Sequence, residues 1–138
     1  MLLRLTPLQG GDGTTCGIIA MNDTGSDILT IFDTDRPFLG NMQAYFGWLG
    51  PTAVRNANGT MDVCPKISLQ VQLVRDDDSP WSGWIDEEAI VRSAGPGVTR
   101  LSGVGIRDIL YFGTAPGNHS LAVSATRGGL TSSVSGAN

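Results

Sequence analysis

The stretch that constrains the fold most is KISLQVQLV, residues 66–74. Ile67, Leu69, Val71 and Leu73 alternate with Ser68, Gln70 and Gln72, so a period of two puts the apolar side chains on one face and the polar ones on the other. A helix would scatter these residues around its circumference. The stretch therefore reads as a strand with one buried and one wet face. Just upstream, AVRNANGTMDV carries Asn58-Gly59 at its centre. Asn-Gly supplies the positive-φ backbone that a tight hairpin needs, so a hairpin is expected to feed this strand.

The rest of the chain is punctuated in the same way, with 19 Gly and 7 Pro in 138 residues and no long window of helical period. LLRLTPL reads as a short strand with Leu3 and Leu5 on one side, and Pro7 limits it to an edge or a strand end. CGIIAM, ILTIF, WSGWIDEEAIV and HSLAVSA are further strand candidates, with Trp81 and Trp84 capping a core edge. QGGDGTT, RDDDSP and SAGPG are turns. FDTDRPFLG reads as a loop with room for one helical turn, and GIRDILYF is the one helical segment. About seven short strands and one short helix give an all-β class, expected as a small closed barrel.

Composition narrows the function classes. Apolar residues make up 41% and charged residues only 16%, a low share for an isolated surface, which points to a face covered by a partner. Net charge is -4, the basic residues are scattered, and Lys66 is the only lysine. Nucleic acid binding needs a concentrated basic face to displace counterions, so that class is set aside. Cys16 and Cys64 match no metal spacing and read as buried free thiols ahead of a disulfide. His119 is the only histidine, which leaves a zinc site almost no material and gives a Ser-His-Asp triad a single candidate. No metal or cofactor is expected. Asp76, Asp77 and Asp78 lack EF-hand spacing and read as solvated loop charge. Asp86, Glu87 and Glu88 are the only cluster from which a glycosidase carboxylate pair could be drawn, and they read as a solvated strand end.

No convincing signal peptide follows Met1-Leu2-Leu3, because Arg4 interrupts the apolar run. The sequons at Asn22, Asn58 and Asn118 read as accidental, so an intracellular location is favoured. No run approaches the roughly 18 apolar residues that span a bilayer, and no membrane partner is expected. The tail TSSVSGAN reads as an unstructured end or linker, and the chain as a domain of a longer protein.

AMNDTGSDILTIF, residues 20–32, carries the chemistry. Asp23 leaves an apolar strand and is followed by Thr24, Gly25 and Ser26 before ILTIF resumes. Gly25 permits a sharp turn that brings backbone N–H groups to the carboxylate, and the two hydroxyls can anchor it. A carboxyl held this way is rigid and has a tunable pKa.

With these residues in place, the chain resembles the retropepsin-like branch of the aspartic proteases over roughly Leu2 to Val123. The resemblance rests on Asp23-Thr24-Gly25-Ser26 between apolar strands, the Gly-bearing hairpin downstream, and Arg107-Asp108-Ile109-Leu110 near the C-terminus. It implies a retropepsin-like domain over 1–128 with a flexible tail or linker over 129–138. The implied activity is that of an aspartic endopeptidase, a hydrolase acting on a peptide or polyprotein and derived from a retroelement or a cellular polyprotein. Only one such motif is present, since Asp35 replaces the Gly in the second Asp33-Thr34. The resemblance therefore implies a C2 homodimer in which Asp23 of each protomer supplies half of the site.

Roles follow position by position. Asp23 would be the catalytic acid/base, Thr24 would lock the two turns across the axis, and Gly25 would approach the substrate backbone. Ser26, where retroviral enzymes usually carry Ala, would hydrogen-bond the carboxyl and favour an acidic optimum. Asp27 and Arg107 would form an ion pair bracing the turn, and Asn56, Ala57, Asn58, Gly59 and Thr60 would form the flap tip. The sequence departs from the family at Asn22, where an apolar residue is usual, and at Ile106, where Gly is expected before the Arg. The flap tip lacks both the apolar Gly-rich tip of viral enzymes and the Tyr of pepsins. A retropepsin-like dimer that no longer cleaves and serves as a binding or assembly module is the alternative; an unrelated β-barrel binding protein is the third reading.

Overall fold

The alternating stretch lies on the longest strand of the chain, β5 (Met61–Gln72), and the main sheet is organised around it. The computed structural model describes residues 1–114 and 121–135. The chain divides into two compact units, 1–104 and 105–138. The domain expected over 1–128 takes in the first unit and part of the second.

In the first unit, Ile67, Leu69 and Val71 are buried as their period demands. β6 (Ile85–Arg92) pairs antiparallel with one edge of β5, from Lys66↔Ile90 to Val71↔Ile85. β4 (Trp48–Arg55) covers Met61 to Ile67, and β1 (Leu2–Arg4) covers Gln70 to Gln72. Lys66 and Val71 already have β6 on one side, so β4 and β1 share the other edge in succession. Pro51 and Pro65, which have no N–H to give a ladder, face each other just before the β6 pairing begins. β2 (Thr15–Gly17) adds outside β1, and β3 (Leu29–Phe32) runs parallel to β6 on the far side. The order is β2-β1-β5-β6-β3, with β4 on β5.

The class is all-β in character, but the sheet does not close into the expected barrel: no ladder joins β2 to β3. The reason lies at the outer edge of β3, where the Thr30 N–H donates to the Leu101 carbonyl at 3.0 Å. An extended segment, not another strand of the sheet, occupies the edge that a barrel seam would use. The core lies beneath, with Leu3, Leu5, Leu29, Ile31, Leu69 and Ile90 essentially inaccessible. Burying each such side chain contributes about 1.5–3 kcal/mol against the entropy of ordering it.

Several expected elements are shorter than their patterns suggested. β1 ends at Arg4, and Pro7–Gln9 turns into a 3-10 helix that Gly10 terminates. The expected strand over 16–21 pairs with β1 only as far as Ile18, which exchanges hydrogen bonds with Met1, and then only at Met21, in an isolated bridge to Leu101. Asp33–Phe38 is the helical turn expected in the FDTDRPFLG loop, of 3-10 type. Trp84 is half-buried at the sheet's edge, where the Arg4 guanidinium lies 4.1 Å above its ring. The acidic cluster on β6 is a correction. Asp86 and Glu88 face outward to Gln70 and Lys66, whereas Glu87 points inward and is buried, because a strand sends alternate side chains to opposite faces.

The second unit holds most of α1 (Val104–Ile109), then β7 (Tyr111–Gly113), β8 (Ala122–Ser124) and α2 (Arg127–Ser135). The helix expected over 105–112 ends early, since Tyr111 and Phe112 pair with Ser124 and Val123 in an antiparallel ladder. Residues 129–135, expected as unstructured tail, lie in α2. Its Thr131, Ser132 and Ser133 hydroxyls donate to carbonyls four residues back, a pairing that apolar periodicity does not reveal. Leu130 packs over Gly113, where an added Cβ would come within 3.3 Å of the Leu130 Cδ2. Asn118, His119 and residues 136–138 lie outside the described residues.

Candidate active site

Asp23 sits in a turn between Met21, which forms an isolated bridge, and β3. The turn closes on its own carboxylate: the Gly25 N–H donates to Asp23 Oδ1 at 2.8 Å, and the Ser26 N–H donates to the Asp23 carbonyl at 3.3 Å. Ser26 Oγ donates to the Ile28 carbonyl at 2.8 Å and so fastens the turn's exit to β3. Asp23 is half-buried, while Thr24 and Gly25 are exposed at the tip.

The turn hangs on the segment Arg100-Leu101-Ser102. On one flank the Met21 N–H donates to the Arg100 carbonyl at 2.8 Å, and the Ser102 N–H donates to the Met21 carbonyl at 2.9 Å. On the other flank the same segment takes the Thr30 N–H. The chain before and after Asp23 is thereby held on opposite edges of one extended strand. Ser102, 1% exposed, completes the hold: its Oγ accepts the Asp23 N–H at 3.2 Å and donates to Asn22 Oδ1 at 3.4 Å. Asn22, unexplained in the sequence, thus partners the hydroxyl that supports Asp23. Immediately beyond, Gly103 lies so close to the buried Glu87 carboxylate that a Cβ would stand 2.4 Å from Oε1.

A part-buried ion pair anchors the start of this segment. Arg100 Nε and Nη2 donate to the two Asp35 oxygens at 2.9 and 2.6 Å, and the Phe32 N–H donates to Asp35 Oδ2 at 2.8 Å. The guanidinium also lies 4.4 Å above the Phe32 ring. Burial alone would raise the Asp35 carboxyl, but the Arg100 hydrogen bonds and charge, with the Phe32 N–H, hold it below the ordinary carboxylate value. Arg100 is held correspondingly above its usual value, first by its hydrogen bond to Asp35. Beside them, burial pushes the Cys16 thiol up, and the Asp35 charge adds to the shift.

Opposite the Asp23 turn stands the β4–β5 hairpin. Its tip is a longer loop than the two-residue Asn-Gly turn: the Gly59 N–H donates to the Asn56 carbonyl at 2.8 Å, and of the two residues only Gly59 takes a positive φ, 86°. Thr60 donates through both N–H and hydroxyl to Asn58 Oδ1. Asp62 ties the tip down, since its Oδ2 accepts from Asn56 Nδ2 at 2.9 Å and pairs with Arg92 at the end of β6. Between hairpin and turn runs a groove of about 470 Å³ lined by both acids, Asp23 and Asp27, by Arg55 and Arg92, and by apolar Val54 and Ile90 among others.

The structure therefore brings Asp23, Gly25, Ser26, Asp27, Asn56 and Ala57 to one groove. Asn58, Gly59 and Thr60 form the tip of the same hairpin. Asp27 is exposed in the first unit and Arg107 is half-buried in the second, so the ion pair expected between them belongs to neither unit's internal geometry. Within the first unit, Arg100 and Asp35 form a further ion pair at the start of the segment that carries the turn. Sequence reasoning missed Arg100, Asp35, Ser102 and Glu87; for Asp35 the available signal was an Asp inside an otherwise loop-like FDTDR. Among the described residues no three His, Cys, Asp or Glu side chains come together as a metal-holding set, and no helix is long and apolar enough to cross a membrane. Compared with protein-family models, curated proteins and solved structures, the chain matches none.

Proposed function

We propose that this chain is one half of a dimeric aspartic endopeptidase of retropepsin-like type, with Asp23 of each protomer meeting on a two-fold axis. The observation that carries the reading is the setting of Asp23. A carboxylate braced by the Gly25 N–H of its own turn lies on one wall of a peptide-sized groove whose other wall is a hairpin. A second chain is favoured by exposed apolar residues beside the turn, with Ile19 89% and Met21 54% accessible.

In the assembled pair, two carboxyls too close to ionise together share one proton. The ionised one takes a proton from a water whose oxygen attacks the peptide carbonyl carbon. The protonated one gives its proton to the carbonyl oxygen, which leaves a tetrahedral diol. Collapse of the diol breaks the C–N bond as the carboxyl that took the water's proton gives it to the departing nitrogen, while the other, now ionised, takes a proton from a diol hydroxyl; this leaves the carboxylic acid product and restores the shared proton. Thr24 and Gly25, exposed at the tip, are placed for the axis and the substrate backbone, and the hairpin tip Asn56 to Thr60 is the flap.

The test joins assembly to chemistry. Sedimentation at micromolar concentration is expected to give a dimer, and a peptide library is expected to be cleaved on the acid side of neutrality, with Asp23→Asn abolishing turnover. A strict monomer has no complete site and overturns the proposal. A dimer in which wild type and Asp23→Asn are equally inactive overturns the enzyme and leaves a retropepsin-like binding or assembly module.

A further inference from the structure

We propose that the Arg100–Asp35 ion pair is the positioning device of the site, fixing the segment on which the Asp23 turn hangs. The inference rests on Asp23 being the reacting carboxyl, though its physical core, that the pair orders the turn, does not. Arg100 is bound at both ends. Its guanidinium makes a two-pronged contact to a carboxylate that is 5% exposed, and its carbonyl accepts the N–H of Met21, two residues before Asp23. The next residues bind both flanks of the turn, through Leu101 to Thr30 and Ser102 to Asp23.

Asp35 is itself locked to the strand that leaves the turn. It lies in the 3-10 helix following β3, and its Oδ2 takes the Phe32 N–H. The pair therefore closes a ring: Asp23 turn, β3, Asp35, Arg100, the 100–102 segment, and back to Asp23. A planar guanidinium on two oxygens fixes orientation as well as distance, which an ammonium point charge does not. The surface pair Lys66–Glu88, by contrast, bridges two strands that their ladder already fixes and lies on no such ring.

The test compares Arg100→Lys, the double variant Asp35→Leu/Arg100→Met, and the control Lys66→Ala, all as the full chain. The double variant removes the pair without leaving an unpaired charge, at the cost of the Phe32 N–H acceptor, so the fold is expected to survive. Expected in the double variant is a kcat lower by about 100-fold, the cost of a reacting group misplaced by about 1 Å, with KM little changed. Amide exchange at Met21 and Ser102 is expected to quicken by about tenfold, the effect of losing one charge-assisted hydrogen bond on local opening. Arg100→Lys is expected to lie between the double variant and wild type, and Lys66→Ala to match wild type. Wild-type kcat and wild-type exchange in the double variant overturn the inference; if that variant does not fold, the same result in Arg100→Lys does. If the wild type cleaves nothing, faster exchange at Met21 and Ser102 still upholds the positioning, and unchanged exchange still refutes it.

Discussion

Replacing Gly103 by Ala tests the packing that keeps the turn-bearing segment in register. The new Cβ would stand 2.4 Å from Glu87 Oε1, 2.5 Å from its Cδ and 2.8 Å from Oε2. Ordinary contact begins near 3.5 Å, so carboxylate and segment must separate by about 1 Å. Glu87 is only 6% exposed and Gly103 is buried, so the carboxylate has no path to swing into water. Overpacking of this kind costs about 1–3 kcal/mol, and a 2 kcal/mol loss lowers the melting temperature by about 8 °C in a unit of this size. The assay is thermal unfolding by circular dichroism, with Gly83→Ala as control, since a Cβ at Gly83 meets nothing within 4 Å. The control is expected to stay within about 0.5 kcal/mol of wild type. If the clash with Glu87 is the cause, Glu87→Ala combined with Gly103→Ala costs less than the two singles summed, by about 1 kcal/mol. A Gly103→Ala protein as stable as Gly83→Ala, or strict additivity in the cycle, refutes the reasoning.

Acid should weaken the first unit through Asp35. Its folded value lies below the ordinary 3.8, so its contribution is complete above that value and is lost as pH falls through the folded one. Urea titrations at about pH 7 and about pH 3 should show a larger acid loss in wild type than in Asp35→Leu/Arg100→Met, and equal losses would contradict this. Gly59→Ala at the hairpin tip, where φ is 86°, should cost about 1 kcal/mol in denaturant unfolding while Gly59→Asn costs less, because Asn tolerates that conformation. Equal costs would mean the tip relaxes to another turn.

What the sequence made legible was local. Ile67, Leu69 and Val71 face inward as their alternation requires, Asn58-Gly59 turns the hairpin, and Asp23 sits on a turn beside a groove. What it hid was long-range or set by an edge. Arg100 and Asp35 are 65 residues apart, and no periodicity connects them. The Thr99-Arg100-Leu101-Ser102 stretch carries a single apolar residue and joins its neighbours by one isolated bridge, Met21↔Leu101, and the Thr30 N–H bond, so no strand pattern marks it. Barrel closure depends on which segment takes the outer edge of β3, a choice that strand propensity does not encode. Glu87 was obscured by its acidic neighbours, although the in–out alternation over 85–89 in β6 places it inward.

A subunit-mixing assay bears most directly on the central proposal. Wild-type and Asp23→Asn chains are mixed at constant total concentration, allowed to exchange subunits, and assayed on a cleavable peptide. If each site needs Asp23 from both chains, activity follows the square of the wild-type fraction, so an equal mixture retains about a quarter of the wild-type rate. Activity proportional to the wild-type fraction, about a half in that mixture, would mean each chain carries its own complete site and would contradict the two-chain dyad.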